Sequence, residues 1–248
     1  MLGTWLKPIA WLRCLEIRIL LGVLVVVGGA WGFIELADEV KEGDTQRFDD
    51  WALRALRRAD NPAVPIGPKW AHEIGRDLTA LGGIAALTLA IAAVAGFLFL
   101  QRNYGVMGLV LGASAGGLVL STATKALFHR DRPELVPHLS QVMTTSFPSG
   151  HSMLSAAVYL TLGVLLTRTV TDLRTKLYLV VVPLLLSFLV GLSRVYMGVH
   201  YPTDVLAGWT LGIVWAVLCW LAARALEGRR AVERGHDRRG DDVASAPP

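Results

Sequence analysis

Six long apolar runs constrain this chain more than any other feature of its sequence. They occupy roughly 17–36, 78–100, 105–128, 151–167, 177–197 and 203–226 of 248 residues. Each approaches or exceeds the roughly 20 helical residues that cross about 30 Å of hydrocarbon. Backbone in lipid must satisfy its own hydrogen bonds, which leaves helices or closed barrels, and these runs lack the alternation of barrel strands. The expected fold is all-α: a polytopic membrane bundle of six transmembrane helices.

Charge orients the bundle. With both ends inside, Lys7, Arg13, Arg18, Arg102, Arg168, Arg174, Lys176 and the basic cluster from Arg224 to Arg239 share the inner side, as the positive-inside tendency requires. The first long loop, 38–77, carries nine acids beside its bases and falls outside. The first run follows Lys7, Arg13, Glu16 and Arg18 and has no small-x-small site after it, so it reads as an uncleaved span rather than a signal peptide. Cys14 and Cys219 both fall inside, and no disulfide framework is expected.

Three regions follow. Residues 1–16, with Trp5, Leu6, Ile9, Trp11, Leu12 and Leu15, read as a segment lying at the inner interface. Residues 17–226 form the six-helix domain, and 227–248 a charged cytoplasmic tail expected to be disordered. In the first loop, Phe48, Trp51, Ala52, Ala55 and Leu56 recur at helical spacing, with Arg47, Asp50, Arg54, Arg57 and Arg58 opposite. That pattern predicts an amphipathic helix near 45–59, either resting on the outer membrane surface or packed on the bundle.

Three polar clusters end the apolar runs. The first joins Lys125, near the end of the third run, to Arg132-Pro133. A charge there either faces a polar cavity or snorkels to the interface. Pro133 disfavours helical geometry at Arg132 and releases its guanidinium into the loop. A flexible ammonium and a planar fork are complementary grips for phosphoryl oxygens, while His129 and Arg130 between them read as interfacial charges. The second cluster, Pro148-Ser149-Gly150-His151, begins the fourth run. Ser149 is placed as an N-cap and Gly150 permits close backbone approach, so the helix start suits an anion, with His151 at its lip; simple capping explains the serine equally. The third holds Arg194, His200 and Asp204. Four residues apart, Asp204 can fix one nitrogen of His200 and leave the other as a nucleophile, unless the pair merely satisfies itself. A metal is not expected, because three neighbouring cations would oppose a divalent ion.

Taken in order, Lys-x6-Arg-Pro, Pro-Ser-Gly-His and Ser-Arg-x5-His-x3-Asp resemble the tripartite signature of the type 2 phosphatidic acid phosphatase superfamily, matched at every specified position. The resemblance implies that His200 is a nucleophile forming a phosphohistidine, oriented by Asp204. It implies His151 as general acid and then activator of water, with Lys125, Arg132, Ser149, Gly150 and Arg194 holding the phosphoryl oxygens. It also implies no cofactor and no metal. All three clusters share the outer side of the six-span map, which would place the site on the outer, periplasmic face of a bacterial inner membrane. The expected partners are the membrane and a lipid phosphate: phosphatidic acid, phosphatidylglycerophosphate or a polyprenyl diphosphate. No nucleic-acid partner is expected, and nothing specifies an oligomeric state. Two alternatives stay open: a non-catalytic lipid-phosphate binding or transport protein, and a vanadium haloperoxidase-like enzyme.

Overall fold

A computed structural model describes the backbone over residues 6–133 and 145–244 and the side chains over 16–133 and 145–226. The elements are α1 (Leu6–Glu42), α2 (Gln46–Ala55), β1 (Arg57–Arg58), β2 (Asn61–Pro65), α3 (Lys69–Leu81), α4 (Ile84–Leu100), α5 (Tyr104–Leu127), α6 (Gly150–Leu166), α7 (Leu173–Tyr196) and α8 (Pro202–Ala244). The protein is a helical, multi-pass membrane protein. Among the described residues, four helices are long and apolar enough to cross a bilayer: Glu16–Glu42, Tyr104–Leu127, Leu173–Tyr196 and Pro202–Leu226.

Two of the six expected spans depart from a simple crossing. The run at 78–100 is broken: α3 and α4 meet at 53° across Gly82-Gly83 and make a fifth candidate span only as a bent pair. The physical reason lies at Gly82, where a Cβ would stand 2.4 Å from Val190 Cγ1, so the turn is pressed against α7 too closely for a side chain. The run at 151–167 becomes α6, only 17 residues long, or about 26 Å at 1.5 Å per residue. It needs no lipid-spanning length of its own, because α8, α7 and α5 pack around it and bury most of its side chains.

Close helix approach in a membrane relies on small residues rather than on apolar burial, since lipid is as apolar as leucine. The α6–α8 contact uses this device. A Cβ at Gly208 would lie 2.7 Å from the Ser149 carbonyl oxygen, and one at Gly212 would lie 2.5 Å from Ala156 Cβ. The perimeter is correspondingly greasy, with Leu20, Leu24, Trp31, Leu89, Leu100, Leu127 and Leu173 exposed, as a bundle surrounded by lipid allows.

The first loop is more ordered than its sequence suggested. The amphipathic helix near 45–59 is α2, but its inward face is Asp49 and Leu53, both fully buried, followed by buried Arg57. Phe48 and Trp51, grouped by spacing with the packing face, point outward at 50% and 66% exposure. The helix thus packs on the bundle through one face and leaves its aromatic face exposed. The antiparallel hairpin β1–β2 and helix α3 follow. At the other end, the backbone of α8 continues to Ala244 over most of the segment expected to be an unstructured tail, through strong helix formers such as Ala, Arg and Glu. Residues 1–5 and 245–248 of the terminal segments lie outside the described residues.

Candidate active site

Each polar cluster sits where a helix ends. Lys125 closes α5, Gly150 and His151 open α6, Arg194 closes α7, His200 lies in the α7–α8 turn, and Asp204 lies in the first turn of α8. The result is one cavity of about 650 Å³ whose polar wall is Lys125, Arg132, Gly150, His151, Arg194 and His200. Ser121, Thr122 and Thr145 add neutral polar groups, and Gly82, Ile84, Leu118, Ala126 and Leu154 complete it.

The state of His200 follows from its neighbours. The residue is 1% exposed. Its Nδ1 lies 3.4 Å from Asp204 Oδ2, and its Nε2 lies 3.2 Å from Arg132 Nη1. A guanidinium can only donate and a carboxylate can only accept. The partners therefore assign Nδ1–H to Asp204 and leave the Nε2 lone pair facing Arg132. Burial pushes His200 down to about 4, and Arg194 and Arg132 act in the same direction, against the opposing pull of Asp204. The imidazole is neutral at physiological pH.

Asp204 is fully buried and completely engaged. Arg130 Nη1 donates to Oδ1 at 2.7 Å, while Oδ2 accepts from Tyr201 N at 2.9 Å, from Ser146 Oγ and from His200 Nδ1. Arg132 donates through Nη1 to the Val199 carbonyl at 2.6 Å and through Nη2 to Thr145 O at 3.4 Å, and Lys125 Nζ reaches the same Thr145 O at 3.1 Å. Burial lowers the Arg132 pKa from its ordinary value, with Asp204 opposing. Arg194 is 1% exposed and donates through Nη1 to Thr79 Oγ1 at 3.0 Å. Among the described residues its Nε has no partner.

Two site residues of the sequence reading do not line the cavity: Asp204, which stands behind His200, and Ser149. Ser149 is fully buried. Its backbone N–H donates to the Asp204 carbonyl at 2.9 Å, and its hydroxyl accepts from Ser152 N and from Ser152 Oγ. The serine ties the start of α6 to α8. Gly150 does line the cavity. A Cβ there would stand 2.9 Å from Lys125 Cε, so a glycine at this point gives the lysine its path.

Three further residues were not singled out by sequence. Arg130, read as an interfacial charge, bridges Asp204 and Asp49 from a site where its side chain is 12% exposed. The two carboxylates outweigh burial and raise its pKa. Asp49 arrives from α2, and Thr79 from α3 carries Arg194. The available signal was Asp49 itself, a carboxylate four positions before Leu53 on a short helix, but nothing local distinguishes it from a solvated acid.

The family model of the PAP2 superfamily matches residues 103–227. Phosphatidylglycerophosphatase B of Bacillus subtilis is 33% identical over 186 residues, covering 73% of this chain and 86% of its own. The crystal structure of a transmembrane PAP2 type phosphatidylglycerolphosphate phosphatase from Bacillus subtilis aligns with a TM-score of 0.73 at 29% identity, over 83% of this chain and 97% of that one. LpxE of Aquifex aeolicus shares the fold, with a TM-score of 0.53 and 24% identity over 70% of this chain and 94% of that one. The matched segment contains every residue of the polar wall, and the likeness extends over most of the chain. The chain belongs to the PAP2 superfamily, in its branch of membrane lipid phosphatases.

Proposed function

We propose that this protein removes a phosphate from a lipid headgroup through a phosphohistidine on His200, without a metal, at a site on the outer face of the membrane. The observation that carries the reading is the state of His200: neutral, with Nδ1–H toward Asp204 and the Nε2 lone pair toward Arg132 in the wall of a cation-lined cavity. Nε2 attacks phosphorus, the bond from phosphorus to the lipid oxygen breaks, and His151 gives that oxygen its proton. His151 then takes a proton from water, whose oxygen displaces phosphate from His200. Lys125, Arg132 and Arg194 neutralise the charge spread over the phosphoryl oxygens, which is the main demand of this chemistry. The buried Nε of Arg194, which lacks a partner among the described residues, supports an anion in the cavity. The backbone of Gly150 contributes at the helix start, while Ser149 fixes that start in place.

A lipid substrate is supported by the apolar side of the cavity. Ile84, Leu118 and Leu154 are shared with a second cavity of about 250 Å³ that continues between α4, α5 and α6 past Leu87, Ile91 and Val158. A headgroup phosphate among the cations would leave its chains along this groove. The named function of the Bacillus relative favours phosphatidylglycerophosphate as the first substrate to try. In this reading α1, α4, α5, α6, α7 and α8 make six alternating crossings, with the short α4 and α6 shielded by their neighbours, and the positive-inside charges set the site outside.

The test is phosphate release by detergent-purified protein from a panel of phosphatidic acid, phosphatidylglycerophosphate and polyprenyl diphosphate, in EDTA, with His200→Ala alongside. Turnover in EDTA that vanishes in His200→Ala is expected. Activity lost to EDTA, or kept by His200→Ala, would refute the mechanism. A panel that is bound but never hydrolysed would return the protein to the non-catalytic alternative.

A further inference from the structure

The polar network behind His200 extends past the family-matched segment into the first loop. Asp49 lies on α2, 81 residues before Arg130 in sequence, yet its Oδ2 accepts from Arg130 Nη2 at 2.8 Å. It is fully buried and held from a second direction, by Thr203 N to Oδ1 at 3.1 Å and Thr203 Oγ1 to Oδ2 at 2.6 Å. Arg130 in turn lies over the Tyr201 ring, 4.2 Å from its centroid, and sends Nη1 to Asp204 Oδ1 at 2.7 Å and Thr203 Oγ1 at 2.9 Å. Gln46 Oε1 adds a weaker contact to Nη2 at 3.3 Å.

We propose that Asp49 is a positioning residue for the reaction, acting through Arg130 on Asp204 and thereby on His200. The proposal rests on the reading of His200 as nucleophile. A guanidinium is a rigid planar fork that readily takes both oxygens of one carboxylate. Here it is divided instead between two carboxylates, one per arm. Asp49 occupies Nη2, so Arg130 can claim only Oδ1 of Asp204. Oδ2 is left for Tyr201 N, Ser146 and His200 Nδ1, the last being the longest of these contacts at 3.4 Å. Without the Asp49 charge, the second arm of Arg130 is unmatched in a mostly buried site, and a two-armed grip on Asp204 becomes its best alternative. That rotation competes with the His200 contact for Oδ2. The orientation of the imidazole, and the stabilisation of the charge it gains on attacking phosphorus, are lost together. Neither Asp49 nor Arg130 lines the cavity, so the grip on phosphate is untouched.

The signature is therefore a fall in kcat at constant KM. Purified wild type, Asp49→Asn, Arg130→Lys and His200→Ala are compared on a short-chain phosphatidic acid, with orthovanadate binding to count folded sites. In Asp49→Asn, kcat per vanadate-binding site should fall about tenfold or more, with KM and vanadate affinity held within about twofold. Arg130→Lys, which cannot bridge two carboxylates, should behave alike. In an Asp204→Asn background, Asp49→Asn should add no further loss, because the group through which it acts has gone. Unchanged kcat, a loss confined to KM, or an equal loss in the Asp204→Asn background overturns the proposal. So does failure of both single variants to bind vanadate, which would assign the pair to folding. Activity in His200→Ala defeats the nucleophile reading instead. An inactive His200→Ala beside an unaffected Asp49→Asn defeats the positioning role alone.

Discussion

Gly150→Ala offers a test of the cavity in which the structure sets the size of the effect. The added Cβ would stand 2.9 Å from Lys125 Cε, 3.8 Å from its Nζ and 3.8 Å from Ser121 Oγ. Carbon atoms at contact prefer about 3.5–4.0 Å, so the lysine must withdraw by roughly 0.6–1 Å. It can, because the obstructed atom is near the end of a flexible side chain. The fold is therefore kept, and alanine in the first turn of α6 is a better helix former than glycine by up to about 1 kcal/mol. What suffers is the reach of Nζ toward a phosphoryl oxygen. A hydrogen bond to a charged group is worth about 1.5–3 kcal/mol, equivalent to a roughly 10–150-fold loss in kcat/KM at about 1.4 kcal/mol per decade. The assay is phosphate release in mixed micelles, alongside thermal unfolding in the same detergent. The expected result is a strong kinetic loss with a melting temperature equal to or above that of the wild type. In a Lys125→Ala background the same substitution should cost almost nothing, because its steric target has been removed. An equal loss in both backgrounds, or a protein that is destabilised but kinetically intact, would refute the reasoning.

Other outcomes follow from the same geometry. His200, held at about 4 by burial, should remain neutral at pH 5.5 when its ring is followed by NMR of labelled histidine, and a midpoint near the ordinary 6.5 would contradict its assigned environment. Because the folded imidazole takes up its proton only near 4 while the unfolded one does so near 6.5, His200 lowers stability progressively as pH falls through that interval and has no such effect above it. Thr79→Val removes the acceptor of buried Arg194, and should cost about 1–3 kcal/mol of stability together with weaker vanadate binding; unchanged unfolding and affinity would show that Arg194 needs no such support. For the orientation of the site, Asp60→Cys at the exposed hairpin turn, in a Cys14→Ser, Cys219→Ser background, should react with an impermeant maleimide from outside intact cells. Labelling only after the membrane is opened would invert the topology.

The sequence by itself determined the class of fold and nearly all of the polar wall. Apolar length is a local property, and so is the spacing of Lys125 from Arg132 or of His200 from Asp204. A helix end therefore announces its own charged residues without knowledge of its neighbours. Six of the eight residues read as a site, Lys125, Arg132, Gly150, His151, Arg194 and His200, face one cavity. Asp204 stands directly behind His200, and Ser149 holds the helix start from beneath. Only the tertiary structure decided the rest. Whether Phe48 or Asp49 faces inward depends on what α2 meets, and it meets the Thr203 N–H and Arg130, which a carboxylate satisfies and a phenyl ring cannot. The break in the second apolar run depends on how closely Val190 approaches Gly82. The partners of Arg194 and Arg130 lie 115 and 81 residues away. Desolvation makes those pairings obligatory, because a buried guanidinium must find acceptors wherever the packed chain supplies them. No local spacing records where that will be.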